Sequence, residues 1–131
     1  MILIGTGSEV SVCVLAREKL KDFGVKARIV GTPSWSLFEA QEDSYRESVL
    51  PRGVKKRVTV EAGSPIGWHR WAGDEGSVIG VEHFGASAPG QEVLAHLGFT
   101  ANHVTAAALR LLGKNNEADL VYRSEQTLVT A

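Results

Sequence analysis

The stretch that decides the fold is MILIGTGSEVSVCVLAREKLKDFG, residues 1–24. Its first apolar run, Ile2-Leu3-Ile4, ends at Gly5 and Gly7, as a buried parallel strand entering a tight turn does. Apolar residues then recur at helical spacing until Gly24, a residue that commonly ends helices in a left-handed conformation. The stretch therefore predicts a strand, a turn and a helix.

The predicted helix has an apolar face and a polar start. Cys13, Ala16 and Leu20 fall on one side at helical spacing, so we expect them to be buried. Ser8 precedes the helix and offers a side-chain oxygen to its free N–H groups. Glu9 places a negative charge near the positive end of the helix dipole.

The rest of the chain continues the alternation of strands and helices. Further strands are predicted over residues 25–30, 57–61 and 77–81, and further helices over 34–50 (one or two), 65–72, 90–97 and 104–112. Because strands separated by helices need crossover connections, we expect a three-layer α/β/α fold with an open, mostly parallel sheet of about five strands. Residues 1–113 are expected to form this domain, and residues 114–131 a tail of uncertain structure.

Composition narrows the classes of protein. A chain of 131 residues fits one domain. Its 14 basic and 15 acidic residues are mixed without a basic run, so a nucleic-acid partner is not expected. No stretch approaches the ~18 apolar residues of a membrane span. The single cysteine, Cys13, excludes an internal disulfide, and a cytoplasmic protein is the expectation.

The turn GTGSEV, residues 5–10, begins like a dinucleotide-binding fingerprint. Val10 stands where the third glycine belongs, which predicts a looser contact between helix and strand. No acidic residue ends the second strand. A structural turn is favoured, and an anion site formed by Gly5, Gly7 and Ser8 remains the alternative.

Nucleophilic catalysis has weak support. FGASAP, residues 84–89, has Pro89 where the nucleophile elbow needs a glycine, so Ser87 is interpreted as part of a turn. Cys13 lies within the apolar face of a helix, which favours an inert core thiol. We therefore predict no catalytic residue of this kind.

Acid–base and metal chemistry also lack a complete residue set. Glu61 has the best position, because it follows a strand at the edge where open α/β sheets bind ligands, yet no partner can be named for it. The other candidate carboxylates are Asp74, Glu75 and Glu82. The four histidines are His69, His83, His96 and His103, and they form no metal-binding motif. No metal site is predicted.

Two tryptophans flank the sequence WHRW, residues 68–71. Their spacing places both indoles on one side of a helical turn. They could form an aromatic platform for a sugar, or they could pack into the core or against another domain. Packing is favoured, because tryptophans are large apolar anchors.

The order of motifs resembles the C-terminal domain of transketolase over residues 1–113. The matching segments are ILIGTGSEV (2–10), GVKARIV (24–30), TPSWSLFEAQEDSYRESVLP (32–51), VTVEAG (58–63), Trp68 with Gly73 and Gly76, VIGVEHFGASAP (78–89) and GFTANHV (98–104).

This resemblance implies a part in ketol transfer. Transketolases move a two-carbon unit from a ketose phosphate to an aldose phosphate with thiamine diphosphate and Mg²⁺. They act as homodimers of three-domain chains, and the third domain mainly supports the dimer. The resemblance thus implies the N-terminal and middle domains as partners, and it assigns no catalytic, cofactor or metal residue to this segment.

The string Gly73-Asp74-Glu75 lacks the second glycine of the family's diphosphate–metal motif. Two departures from the family remain. The chain begins where the third domain begins, as an excised fragment or truncated product would, and residues 114–131 extend past the usual end of the family. Three alternatives also remain. The corresponding domain of a deoxyxylulose-phosphate synthase or a pyruvate dehydrogenase β subunit is one alternative. A stand-alone anion-binding module and a purely structural dimerisation element are the others.

Overall fold

The computed structural model describes residues 1–80 and 99–130. Its described strands are β1 (Ile2–Gly5), β2 (Arg28–Gly31), β3 (Arg57–Val60) and β4 (Ser77–Ile79). They form one sheet in the order β2-β1-β3-β4, and every neighbouring pair is parallel. The prediction of an open, parallel α/β sheet is confirmed, with four strands in the described part of the chain.

Six helices flank the sheet in the described residues. They are α1 (Glu9–Lys21), α2 (Trp35–Glu39), α3 (Asp43–Val49), α4 (His69–Ala72), α5 (Ala101–Leu111) and α6 (Asn115–Thr130). The region predicted to hold one or two helices holds two, α2 and α3. Thr100 starts α5, since its hydroxyl accepts a hydrogen bond from the His103 N–H at 3.1 Å.

Each face of the sheet covers its own core. Leu3 packs on the side of α1 and α5, whereas Ile2 and Ile4 pack on the side of Trp68 and Trp71. This division follows from the strand geometry, because successive side chains point to opposite faces. Cys13 and Leu20 are fully buried, as the helical spacing predicted.

The end of α1 corrects the predicted start of β2. Val25 was expected to begin the strand, but its N–H donates to the Leu20 carbonyl at 3.1 Å, while the Gly24 N–H donates to Lys21 at 3.0 Å. These are the two hydrogen bonds of a Schellman motif, with Gly24 at φ 72°. Val25 therefore completes the helix terminus, and β2 begins at Arg28.

Several predictions lie outside the described residues. They concern the helix over 90–97, the FGASAP turn with Ser87 and Pro89, and the side chains of Glu82, His83 and His96. The tail, by contrast, is mostly described: α6 packs against α5, with Ala118 fully buried.

Candidate functional site

The carboxyl edge of the sheet contains the crevice in which open α/β folds usually bind ligands. The chain passes from β1 to β2 on one side and then crosses to β3 on the other, so the crevice lies between the ends of β1 and β3. Gly5 ends β1, and Glu61 follows β3. The two positions that the sequence favoured thus meet at one edge.

Gly5 brings the helix close to the strand. A Cβ at this position would lie 3.1 Å from the Val10 nitrogen and 3.2 Å from the Cys13 sulfur. The expectation that Val10 would loosen the contact between helix and strand is wrong, because the close approach occurs at Gly5. Val10 instead faces Gly31, whose added Cβ would lie 3.7 Å from the Val10 Cγ2.

The N–H groups at the start of α1 have partners within the turn. Those of Glu9, Val10 and Ser11 donate to the carbonyls of residues 6, 7 and 8 at 3.1, 3.3 and 3.3 Å. Ser8 does not cap the helix, contrary to the prediction. Its hydroxyl donates to the Glu9 carboxylate at 2.7 Å, and its backbone is already helical.

Glu9 supplies a negative charge at this helix end. The residue is only 6% exposed, and its carboxylate lies where the helix dipole favours an anion. An external anion at Gly5, Gly7 and Ser8 would therefore approach a carboxylate, and the adjacent N–H groups of residues 9, 10 and 11 already have partners. Anion binding at this turn stays a prediction.

The described candidate carboxylates lie at opposite edges of the sheet. The Glu61 side chain lies close to Gly63, since a Cβ added to Gly63 would be 3.4 Å from the Glu61 Oε1. Glu75 pairs with Lys56 at 3.2 Å on the opposite, amino edge of the sheet. Asp74 lies beside it in the loop before β4.

The tryptophans form part of the core. Trp68 and Trp71 are 2% and 8% exposed, and Trp35 packs edge-on against Trp68 with 4.9 Å between ring centroids. Phe38 extends the cluster to Trp71 at 5.5 Å. The packing interpretation is confirmed, and the buried indole faces offer no platform for a sugar.

The thiol and the described histidines do not form a reactive centre. Burial, with a smaller contribution from the Glu9 charge, raises the pKa of the Cys13 thiol to about 12. A thiol protonated at neutral pH is a poor nucleophile. Among the side chains that the structure describes, in residues 1–80 and 99–124, no group of three or more His, Cys, Asp or Glu could hold a metal ion.

Arg57, which no sequence motif pointed to, ties the loop between α3 and β3 to helix α4. Its guanidinium donates to the carbonyls of Val54, Trp71, Leu50 and Pro51, at 2.8, 3.1, 3.4 and 2.7 Å. Burial lowers the pKa of Arg57, partly offset by the Glu47 charge. An arginine at the start of a short strand gives no sequence signal for this role.

The chain is similar to transketolases. A family model described as "Transketolase-like TK C-terminal domain" matches residues 1–100. A Nostoc transketolase is 53% identical over 113 residues, which are 86% of this chain and 17% of that protein. A Geobacillus stearothermophilus transketolase is 45% identical over the same shares of the two chains.

Solved structures agree with the sequence relatives. A transketolase from Pichia stipitis superposes with a TM-score of 0.79 at 35% identity, covering 86% of this chain and 16% of that one. Transketolase from Leishmania mexicana gives 0.74 at 36% identity, covering 84% and 16%. The chain thus spans about a sixth of the length of these relatives.

Proposed function

The chain belongs to the transketolase C-terminal domain family, and from that premise we propose that it supports a ketol-transferring enzyme without performing the chemistry itself. The whole enzyme would transfer a two-carbon unit from a ketose phosphate to an aldose phosphate. The observation that carries this proposal is the match of residues 1–100 to the transketolase C-terminal domain, in a chain that covers only 17% of a transketolase relative. The N-terminal and middle domains of the same enzyme would be its partners, and the assembly would be a homodimer.

The described residues do not fit the cofactors of such an enzyme. Thiamine diphosphate and Mg²⁺ need a set of oxygen ligands close to a diphosphate. In the part of the chain that the structure describes, no cluster of metal-binding side chains exists, and Asp74 lies in an exposed loop. We therefore place the cofactors on the other domains of the enzyme.

The sequence relatives and the hydrogen bonds of the turn between β1 and α1 bear on the alternatives to a transketolase domain. Relatives at 45% and 53% identity are transketolases, which favours this enzyme over a deoxyxylulose-phosphate synthase or a pyruvate dehydrogenase β subunit. The Glu9 carboxylate disfavours an anion-binding module at Gly5–Ser8, and the N–H groups of residues 9, 10 and 11 beside that turn already have partners. The described helices include none that is long and apolar enough to cross a bilayer.

A domain exchange tests the proposal. Three proteins would be compared: intact Nostoc transketolase, the same protein lacking its C-terminal domain, and a chimera in which residues 1–113 of this chain replace that domain. We expect the chimera to recover dimer formation in sedimentation and ketol transfer that the truncated protein lacks. A chimera no better than the truncated protein would contradict the proposal.

The isolated chain provides the complementary measurement. The 131-residue protein, assayed with thiamine diphosphate, Mg²⁺, a ketose phosphate donor and an aldose phosphate acceptor, should give no turnover above buffer. Turnover by this chain alone would overturn the assignment of a supporting role.

A further inference from the structure

We propose that a cavity of about 200 Å³ between α2, α3 and α4 binds a phosphate group. This site lies away from the carboxyl edge of the sheet and goes beyond the supporting role proposed above. Its lining includes Arg46, Arg52, Arg57 and Arg70, together with Phe38 and Trp71. These residues come from α2, α3, α4, β3 and the loop before β3.

The cavity carries a surplus of positive charge. Glu39 and Glu47 also line it, and Asp43 pairs with Arg52 and with Arg46 (3.4 Å). Four guanidinium groups thus face three carboxylates, which leaves one positive charge unbalanced. Of these four arginines, Arg57 alone makes no ion pair in the described part of the chain.

Two buried donors on the lining residues lack a protein partner. The Arg46 Nε and the Trp71 Nε1 atoms are inaccessible to solvent and form no hydrogen bond in the described structure. Trp71 is more than nine-tenths buried. Arg57 has one further free N–H, because its four hydrogen bonds use four of its five donors. Buried donors without acceptors are costly, so an acceptor-rich ligand fits this arrangement.

The chemistry of the donors selects the ligand class. Guanidinium groups match the spacing of phosphate oxygens and bind them with paired hydrogen bonds. The cavity is smaller than the ~300 Å³ at which drug-sized ligand sites begin, so it admits a phosphate group but not a whole nucleotide. Inorganic phosphate and the phosphate of a small sugar ester both satisfy this description.

NMR spectroscopy of the labelled 131-residue chain tests the site directly. The chain has three tryptophans, so its ¹H–¹⁵N spectrum has three indole signals, and the variant Trp71→Phe identifies the one from Trp71. Inorganic phosphate would be added at constant ionic strength, with chloride as the reference anion. We expect the Trp71 indole and arginine Nε signals to shift together, with a Kd on the order of 1 mM.

Matched variants decide whether the cavity is responsible. Arg46→Gln should weaken phosphate binding at least tenfold, whereas Arg17→Gln, at a half-buried arginine of α1 outside the cavity, should leave it unchanged. Dispersed backbone signals in both variants would show that each is folded. The proposal is overturned if the Trp71 indole does not move, or if both variants weaken binding equally. Phosphate shifts confined to residues 5–11 would place the anion at the β1–α1 turn and would also refute it.

Discussion

Replacing Gly5 with alanine tests the close contact between β1 and α1. The added methyl would lie 3.1 Å from the Val10 nitrogen, 3.2 Å from the Glu9 carbonyl carbon and 3.2 Å from the Cys13 sulfur. Two of these three neighbours are backbone atoms, so the helix must shift rather than one flexible side chain. Overpacking of this kind costs about 1–3 kcal/mol, and we expect Gly5→Ala to lower the free energy of unfolding by that amount.

Urea denaturation followed by circular dichroism measures the effect. A domain of this size loses roughly 3–6 °C in Tm per kcal/mol, so thermal melting provides a second measurement. Gly53→Ala is the matched control, because a Cβ there meets no atom within 4 Å and its φ is not in the left-handed region. The control should change stability by less than about 0.5 kcal/mol.

A double-mutant cycle separates the sulfur contact from the backbone contacts. In a Cys13→Ala background the new methyl loses one of its three close neighbours. Gly5→Ala should therefore cost less there, with a coupling energy of about 0.5–1.5 kcal/mol. If Gly5→Ala is as mild as Gly53→Ala in the wild-type background, the reasoning from close contact fails.

Three further predictions concern the core and its charges. Cys13 should resist alkylation at pH 8 until urea unfolds the chain. Because folding raises the pKa of its thiol from 9.0 to about 12, the contribution of Cys13 to stability is complete below pH 9 and is lost as the pH rises towards 12. This loss of stability should be absent when Cys13→Ala is titrated over the same pH range. Arg57→Lys should lower the free energy of unfolding by about 2–4 kcal/mol in urea melts, because an ammonium cannot reach all the carbonyls that the guanidinium group binds. A loss below about 0.5 kcal/mol would show that these hydrogen bonds do not stabilise the fold. Trp68→Ala should cost about 3–5 kcal/mol by the same measurement, against under 0.5 kcal/mol for the exposed His69→Ala next to it, and equal losses would disprove the assignment of Trp68 to the core.

The sequence was most informative where structure depends on near neighbours. The glycine-closed apolar run and the spacing of Cys13, Ala16 and Leu20 predicted β1 and α1, since period and punctuation are local properties. Gly24 and Gly113 predicted helix ends for the same reason, and both have positive φ. The order of the motifs then predicted the family.

Errors arose where two local interactions compete. Val25 fits a strand by alternation, but the Schellman motif uses its N–H first. Ser8 fits a helix cap by residue type, but the adjacent Glu9 carboxylate accepts its hydroxyl hydrogen at 2.7 Å. Neither competition can be decided from composition or period, because each depends on which local hydrogen bond forms.

The arginine cavity and the tail could not be predicted from sequence. Arg46 and Arg70 are 24 positions apart and meet only through the packing of α2, α3 and α4. The sequence does not predict a structure for the tail, because polar and charged residues interrupt its apolar residues and leave no clear helical pattern. Its helix, α6, is held by burial of Ala118 and by Arg110, which lies 3.5 Å from Asp119.

The shielded carboxylate of Glu9 has a consequence for how this fold responds to its surroundings. A counter-ion attached to the chain is always present, whereas a dissolved one would be present only in proportion to its concentration. The helix end is therefore neutralised equally in dilute buffer and in a phosphate-rich cell extract. A strand–turn–helix unit of the kind that surrounds a nucleotide in other proteins thus carries its own counter-ion here, whatever the solution contains.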